Sequence, residues 1–449
     1  MNASPLPRAR LVAYAALAAP LAMAALPVYV HVPKLYGDDL GLSLGVVGAI
    51  LLAARLLDAL QDPLLGWWSD RVAAVSGDRR PFIVAAVPLL ALGLIGLFHP
   101  PGLTGMPLAA WLAGCLGIVY VGFSMGAISY FAMGAELSAD YHERTRVTAA
   151  RGAFGVAGVL VAAALPDWLA AANGSPGTLG EGLRRFSLLY VPILLLAAAA
   201  TLFGSPRVGA ARPAAAPAPA DRTLLRSLLA PLTNSGFRGL LLVFVVSGVA
   251  SAIPATLILF YVQDVLERPE LSGAFLALYF LFGAAGMPFW VAASRRVGKK
   301  RAWLLGMLMS VAAFVWAYLL GPGDAFGFGM VCALSGIAYG AELALPPSIL
   351  ADVVDRDRAA GTQRPDGAYF GLWQLTEKLN LALAAGLALP ALGALGYQPG
   401  TVQVAMGPLS TMYAAVPCVL KLLAVAVLWI APIERPAGTT TVPEGASLP

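Results

Sequence analysis

Arg55, Asp58, Gln61 and Asp62 lie within LLAARLLDALQDPLLGW, the apolar stretch from Leu51 to Trp67. Asp58 and Asp62 stand four residues apart, so on a helix their carboxylates share one face. At the centre of a membrane helix each ionised side chain costs about 2.5–3.5 kcal/mol on insertion scales. Two like charges held that close are relieved by one proton or one bound cation. Sodium prefers oxygen ligands, and Asp58, Asp62, the Gln61 carbonyl and a hydroxyl supply several. The alternative is a structural ion network, with the two aspartates paired to Arg55 or Lys378. Further polar groups interrupt later apolar runs. Glu342 is a candidate solute or proton ligand, whereas Lys421 reads as a snorkelling or structurally paired lysine. His31, near the outer end of the first run, reads as an interface residue.

The elements that must position these groups are membrane helices. The chain has 449 residues, 59% hydrophobic and 12% charged, against about 25% charged in soluble domains. About twelve apolar runs are long enough to span, at 11–32, 44–66, 82–98, 108–134, 152–172, 187–203, 238–263, 272–292, 302–320, 326–350, 368–393 and 409–431. Alternate loops carry most of the basic residues, among them Arg71, Arg79, Arg80, Arg144, Arg146, Arg295, Arg296, Lys299, Lys300 and Arg301. The opposite loops hold Lys34, Arg184, Arg185 and Arg268. The positive-inside rule therefore predicts cytoplasmic termini in a multi-pass inner-membrane protein. The net charge of +5 belongs to the cytoplasmic rims, which excludes a nucleic-acid partner. Cys115, Cys332 and Cys418 have no disulfide or zinc spacing and read as packing residues.

The Ala/Pro segment from Ala211 to Arg222 cannot pack as a helix core and divides the chain. The expected organisation is a tail (1–10), a six-helix bundle (11–204), a linker (205–237), a second bundle (238–432) and a tail (433–449). The halves repeat. Asp70-Arg71 and Arg79-Arg80 after the second run match Arg295-Arg296 and Lys299-Lys300-Arg301 after the eighth. Glu136, Asp140, Arg144 and Arg151 match Asp352, Asp355, Arg358 and Arg364. Such duplication builds transporters whose two bundles rock about a central site.

These blocks, taken in order, resemble the glycoside–pentoside–hexuronide cation symporter family of the major facilitator superfamily, the melibiose-permease-like transporters. The strongest are Arg55-Leu-Leu-Asp58-Ala-Leu-Gln61-Asp62-Pro63, Glu136-Leu-Ser-Ala-Asp140-Tyr-His-Glu-Arg144, Leu350-Ala-Asp352-Val-Val-Asp355, and Gly367-Ala-Tyr-Phe-Gly371 followed by Lys378. The resemblance covers the chain from about Tyr14 to Trp429. It implies an all-α fold of twelve helices in two pseudo-symmetric six-helix bundles, with alternating access to a central cavity. It implies a cation site at Asp58, Asp62, Gln61 and Ser124, with Arg55 and Lys378 coupling it to the solute. Gln61 stands where the family usually has asparagine, which leaves H⁺ and Na⁺ both open as coupling ion. Lys378 is then either a charge relay or a fixed counter-ion for Asp58. Arg151 is either a cavity residue or part of the basic rim. Asp70, Arg71, Arg79, Arg80, Glu136, Arg144 and Asp352 are implied gating residues.

The resemblance also exposes departures. Ala22 and Ala127 occupy positions where the family's sugar transporters carry carboxylates, and Phe131 replaces a tryptophan. A cavity lined by Ala22, Ala127, Phe131, Trp373 and Gln374, with Arg151 and Glu342 as further candidate solute ligands, suits a less polar or amphipathic solute better than a polyhydroxylated one. The expected function is secondary transport of a small organic solute by H⁺- or Na⁺-coupled symport, without a cofactor, by a monomer in contact with membrane lipids. The alternatives are a lipid or amphipathic-solute carrier with weak coupling, and a scaffold or sensor that keeps the transporter fold. No nucleophile–base pair or phosphate-cradling loop suggests an enzyme.

Overall fold

The computed structural model describes residues 6–137, 141–171, 178–205, 229–361, 366–400 and 407–431. Among them are twelve helices long and apolar enough to cross a membrane. The first six are α1 (Arg8–Asp39), α2 (Leu44–Ala73), α3 (Arg80–Phe98), α4 (Gly105–Gly134), α5 (Arg146–Ala171) and α6 (Leu179–Gly204). The second six are α7 (Ser235–Asp264), α8 (Pro269–Val297), α9 (Lys299–Tyr318), α10 (Ala325–Asp357), α11 (Ala368–Ala394) and α12 (Gly407–Ile430). No strand occurs among the described residues.

The helices run past the apolar runs that signal them. Arg151, expected at the start of the fifth helix, lies inside a helix that begins at Tyr141. Asp352, expected in a loop, lies inside the helix that ends at Ala359. Lys34, expected in an outer loop, closes a helical segment and is buried. Hydropathy measures where hydrocarbon ends, whereas backbone hydrogen bonding continues for another turn or two into the polar zone. The ends are fixed by ordinary capping chemistry. Ser43 accepts a hydrogen bond from Val46 N at 3.3 Å at the start of α2. Asn234 accepts from Gly236 N at 2.9 Å at the start of α7. The helix containing α2 stops at Gly77, whose φ of 72° is left-handed.

Packing follows the repeat. Within the first half α2 packs on α4, α3 on α4 and α1 on α5; within the second, α8 packs on α10, α9 on α10 and α7 on α11. The halves meet through α2 against α11, α5 against α8, and α1 against α7. The first two of these pairings exchange under the pseudo-two-fold relation of the halves. Small residues permit the closest approaches. A Cβ at Gly158 on α5 would sit 2.2 Å from the Ala19 carbonyl of α1, whereas one at Gly155 would meet nothing within 4 Å. Gly158→Val is therefore expected to destabilise by about 1–3 kcal/mol. Gly155→Val should stay within about 0.5 kcal/mol of wild type in detergent thermal unfolding.

Candidate functional site

The α2 carboxylates and the α11 lysine meet at mid-depth between the two bundles. Asp58 is fully buried, and its Oδ1 accepts from Ser124 Oγ on α4 at 2.9 Å and from Gln61 Nε2 at 3.3 Å. Its Oδ2 lies 2.9 Å from Lys378 Nζ and 3.4 Å from Arg55 Nη1. Lys378 also reaches Asp62 Oδ2 at 2.5 Å and donates to Ser124 Oγ at 3.3 Å. Arg55 is held by Tyr120, whose ring lies 4.4 Å from the guanidinium carbon. The six residues expected at the coupling site thus form one connected cluster, with two carboxylates balanced by two cations.

One oxygen in the cluster remains free to accept: Asp62 Oδ1 is buried and has no partner among the described residues. With Asp58, Ser124 and the Gln61 carbonyl, this oxygen matches the hard-ligand chemistry that sodium requires. A proton needs just one of the carboxylates.

A second buried ion pair lies within the C-terminal half. Lys421 on α12 pairs with Glu342 on α10 and donates to Ser251 Oγ and Ser247 Oγ on α7, both at 2.8 Å. The same two serines donate to Glu342, each at 2.6 Å. Glu342 and Ser251 line a cavity with Tyr279, Tyr339, Phe280 and Val30. The Tyr279 and Tyr339 rings stack with centroids 5.4 Å apart. Lys421 is therefore structurally paired, one of the two readings its sequence position allowed.

The other sequence candidates separate. Arg151 stacks over the half-exposed Phe131, with 4.4 Å between guanidinium carbon and ring centroid. Trp373 does not join them: it is buried and stacks on Phe244 at 3.7 Å, inside its own bundle, while Gln374 is exposed. A hydrophobic ring with an apolar neighbour on its own bundle gains more from that contact than from facing a polar cavity. His31, expected at an interface, is completely buried, and neither ring nitrogen has a partner among the described residues.

Of the residues expected to gate, Arg79, Arg80 and Asp352 each make a contact inside their own bundle. Arg79 donates to Ser69 Oγ at 3.3 Å, and Arg80 donates to the Ser205 carbonyl at 2.9 Å. Lys299 pairs with Asp352 at 2.6 Å, and Lys300 donates to the Ala431 carbonyl at 3.0 Å. Arg80 thus ties the start of α3 to the end of α6 as Lys300 ties α9 to α12, which is the sequence repeat in structural form. Arg71 stacks near Trp67 at 5.3 Å. The side chains of Asp70, Glu136 and Arg144 lie outside the described residues.

Groups given no functional role by the sequence bridge the bundles at the end away from the termini. Lys34 pairs with Asp38 at 2.5 Å and donates to Gln263 on α7, while Gln263 donates back to Asp38 at 3.0 Å. Asp167 on α5 accepts the Gly273 N–H of α8 at 2.5 Å. Beside this clasp Tyr397 donates to Asp264. Burial, then that hydrogen bond, raises the Tyr397 phenol far above its ordinary value, so it remains a donor. Glu377, next to Lys378, was also missed. The cost of a carboxylate inside an apolar run, which singled out Glu342, applies equally to it.

A model of the MFS/sugar transport protein family matches residues 11–435. A glucuronide carrier protein homolog of Escherichia coli is 26% identical, over 89% of this chain and 86% of its own. An uncharacterized symporter of Synechocystis is 24% identical, over 81% of this chain and 82% of its own. Among solved structures, a bacterial homolog of the human lysosomal transporter Spinster, in an inward-facing conformation, superposes with a TM-score of 0.67 at 16% identity, covering 94% of this chain and 95% of its own. The nucleoside transporter NupG gives a TM-score of 0.66 at 15% identity, covering 93% and 98%. At these identities the two structures speak for the fold alone.

Proposed function

The chain belongs to the MFS/sugar transport family, a family of membrane transporters and not of enzymes, and from that premise we propose that it is a cation-coupled symporter of a small organic solute. The observation that carries this reading is the position of the Lys378 ammonium, 2.9 Å from Asp58 and 2.5 Å from Asp62. Lys378 and a coupling H⁺ or Na⁺ are rivals for the same oxygens. Loading a cation onto Asp58 or Asp62 weakens the hold on Lys378, and Lys378 belongs to the opposite bundle. Cation binding therefore acts directly on the α2–α11 contact, an element that both bundles share. The orphaned Asp62 Oδ1 supports the same assignment.

The clasp of Lys34, Asp38 and Gln263, together with Asp167 and Gly273, closes the end away from the termini. With the termini cytoplasmic, as the charge distribution predicts, this is an inward-facing arrangement. The basic residues Arg79, Arg80, Lys299 and Lys300 then serve as struts of the rims at the open end. They, with Asp70, Arg71, Glu136, Arg144 and Asp352, are assigned to closure at that end in the opposite conformation.

The coupling ion is read by thermal unfolding of the purified protein at two pH values, with Na⁺ or choline. Anything that binds the native state alone stabilises it by about 2.7 kcal/mol at a hundred times its Kd. A rise in Tm of at least about 2 °C with Na⁺ at pH 8 assigns sodium. A similar rise on acidification to pH 6 in choline assigns the proton. A Tm indifferent to both would contradict the cation site.

A further inference from the structure

Small side chains between α2 and α4 leave a space that helix packing does not use. Ala54 on α2 and Ala113 and Gly117 on α4 line it, beside the exposed Leu57. Elsewhere on α4 a glycine serves close approach: a Cβ at Gly122 would sit 2.9 Å from the Leu90 nitrogen of α3. A Cβ at Gly117 would meet nothing within 4 Å. The result is a cavity of about 150 Å³, the size that holds a benzene ring between apolar walls. Leu57, Leu60 and Leu64 follow one another along one exposed face of α2. In a membrane this side of the bundle meets acyl chains.

Gln61 and Tyr120 line the same cavity. Gln61 Oε1 and the Tyr120 hydroxyl make no hydrogen bond among the described residues, although Tyr120 is only 4% exposed. One acceptor and one hydroxyl that can donate or accept are therefore open to a ligand. Asp58 backs the same wall, but its oxygens are taken by Ser124, Gln61, Lys378 and Arg55. An ionic ligand would lose its hydration here without meeting a free countercharge, so the site suits a neutral one. Both polar side chains also touch the coupling cluster. Gln61 Nε2 donates to Asp58 at 3.3 Å, and the Tyr120 ring lies 4.4 Å from the Arg55 guanidinium carbon. We propose that this cavity binds a small neutral phenol drawn from the bilayer, and that binding there opposes sodium at the coupling cluster. The ring fills the space beside Ala54, Ala113 and Gly117, and its hydroxyl donates to Gln61 Oε1 and accepts from Tyr120. Gln61 Oε1 is also one of the oxygens offered to sodium, so the two ligands weaken each other by the same factor. The phenol site stands on the cavity itself, and its opposition to sodium rests on the symport reading above.

Binding of tritiated phenol to the purified full-length protein tests it, with Gly117→Leu and Ala113→Leu as variants whose side chains fill the cavity. Detergent takes up phenol equally in every sample, so the difference between wild type and the filled variants reports the site. Wild type is expected to bind phenol saturably, and the filled variants at least about tenfold more weakly. Both variants should unfold within about 2 °C of wild type, because neither replaces a residue of the coupling cluster. Toluene, the same ring without the hydroxyl, should compete about three- to tenfold less well, the factor one hydrogen bond supplies. Tyr120→Phe, which keeps the ring beside Arg55, should bring phenol down to within about threefold of toluene. Phenol bound as well by both filled variants as by wild type overturns the proposal, and so does toluene that competes as well as phenol. Where sodium is the coupling ion, phenol at about ten times its Kd should weaken sodium binding at least about threefold in wild type and leave it unchanged in Gly117→Leu. Sodium binding unmoved by bound phenol overturns the opposition. A wild type that binds phenol but takes up neither Na⁺ nor H⁺ contradicts the symport reading and upholds the phenol site.

Discussion

Asp58→Asn is expected to reduce solute accumulation in proteoliposomes to the equilibrium ratio, whatever cation gradient is imposed, while solute exchange continues within about threefold of wild type. Asparagine keeps the shape of Asp58 and its contacts with Ser124 and Gln61. It removes one negative charge from a cluster that holds Asp58 and Asp62 against Arg55 and Lys378. The cluster then carries permanently the charge it would carry with a cation bound. A carrier fixed in the loaded charge state can reorient with or without the ion, so uptake becomes passive. Accumulation persisting above the equilibrium ratio in this variant would remove Asp58 from coupling.

Lys378→Met has the opposite expected effect. It leaves Asp58 buried with Arg55 at 3.4 Å as its remaining cation. Breaking a buried pair from one side costs about 3–5 kcal/mol, because the other charge is stranded. The variant should therefore unfold at lower temperature, and Na⁺ or acid should restore most of the loss by taking the ammonium's place. Cation affinity should rise at least about tenfold. Net solute flux should fall at least about a hundredfold, since the cation has lost the rival that expels it. Measured together, Tm, cation affinity and flux distinguish this outcome from simple misfolding, which would lower all three. Retained flux with unchanged cation affinity would make Lys378 a passive counter-ion.

The sequence made the cation cluster legible for a specific reason. Asp58 and Asp62 are spaced by one helical turn, so their shared face follows from helix geometry alone. Their expense in an apolar run forces a partner, and Lys378 is a basic residue at comparable depth in the other half. The halves themselves were visible as a repeat of acidic and basic residues, and the packing of α2 on α11 and α5 on α8 follows that symmetry. What was not legible depends on which way a side chain faces in a helix that is apolar all round. Trp373 and Gln374 are adjacent, yet the first is buried and the second exposed. In a membrane the outer face is as apolar as the core, so periodicity does not separate lipid from bundle.

The clasp at the far end escaped notice for a related reason. Lys34 and Asp38 look like ordinary loop charges, and their partner Gln263 lies more than two hundred residues away. Only the docking of α1 against α7 gives them a role. Glu377 was hidden by its neighbour, because Lys378 already explained the polarity of that turn.

In this mechanism one cation binds at the Asp58–Asp62 pair in competition with Lys378. Cation uptake by the purified protein, without any solute, tests it most directly. Binding of radiolabelled sodium at pH 8 and proton uptake on a jump to pH 6 are measured side by side. Saturable uptake of one cation per chain is expected, of one kind or the other, absent in Asp58→Asn and tighter in Lys378→Met. Uptake that is the same in wild type and Asp58→Asn would contradict it.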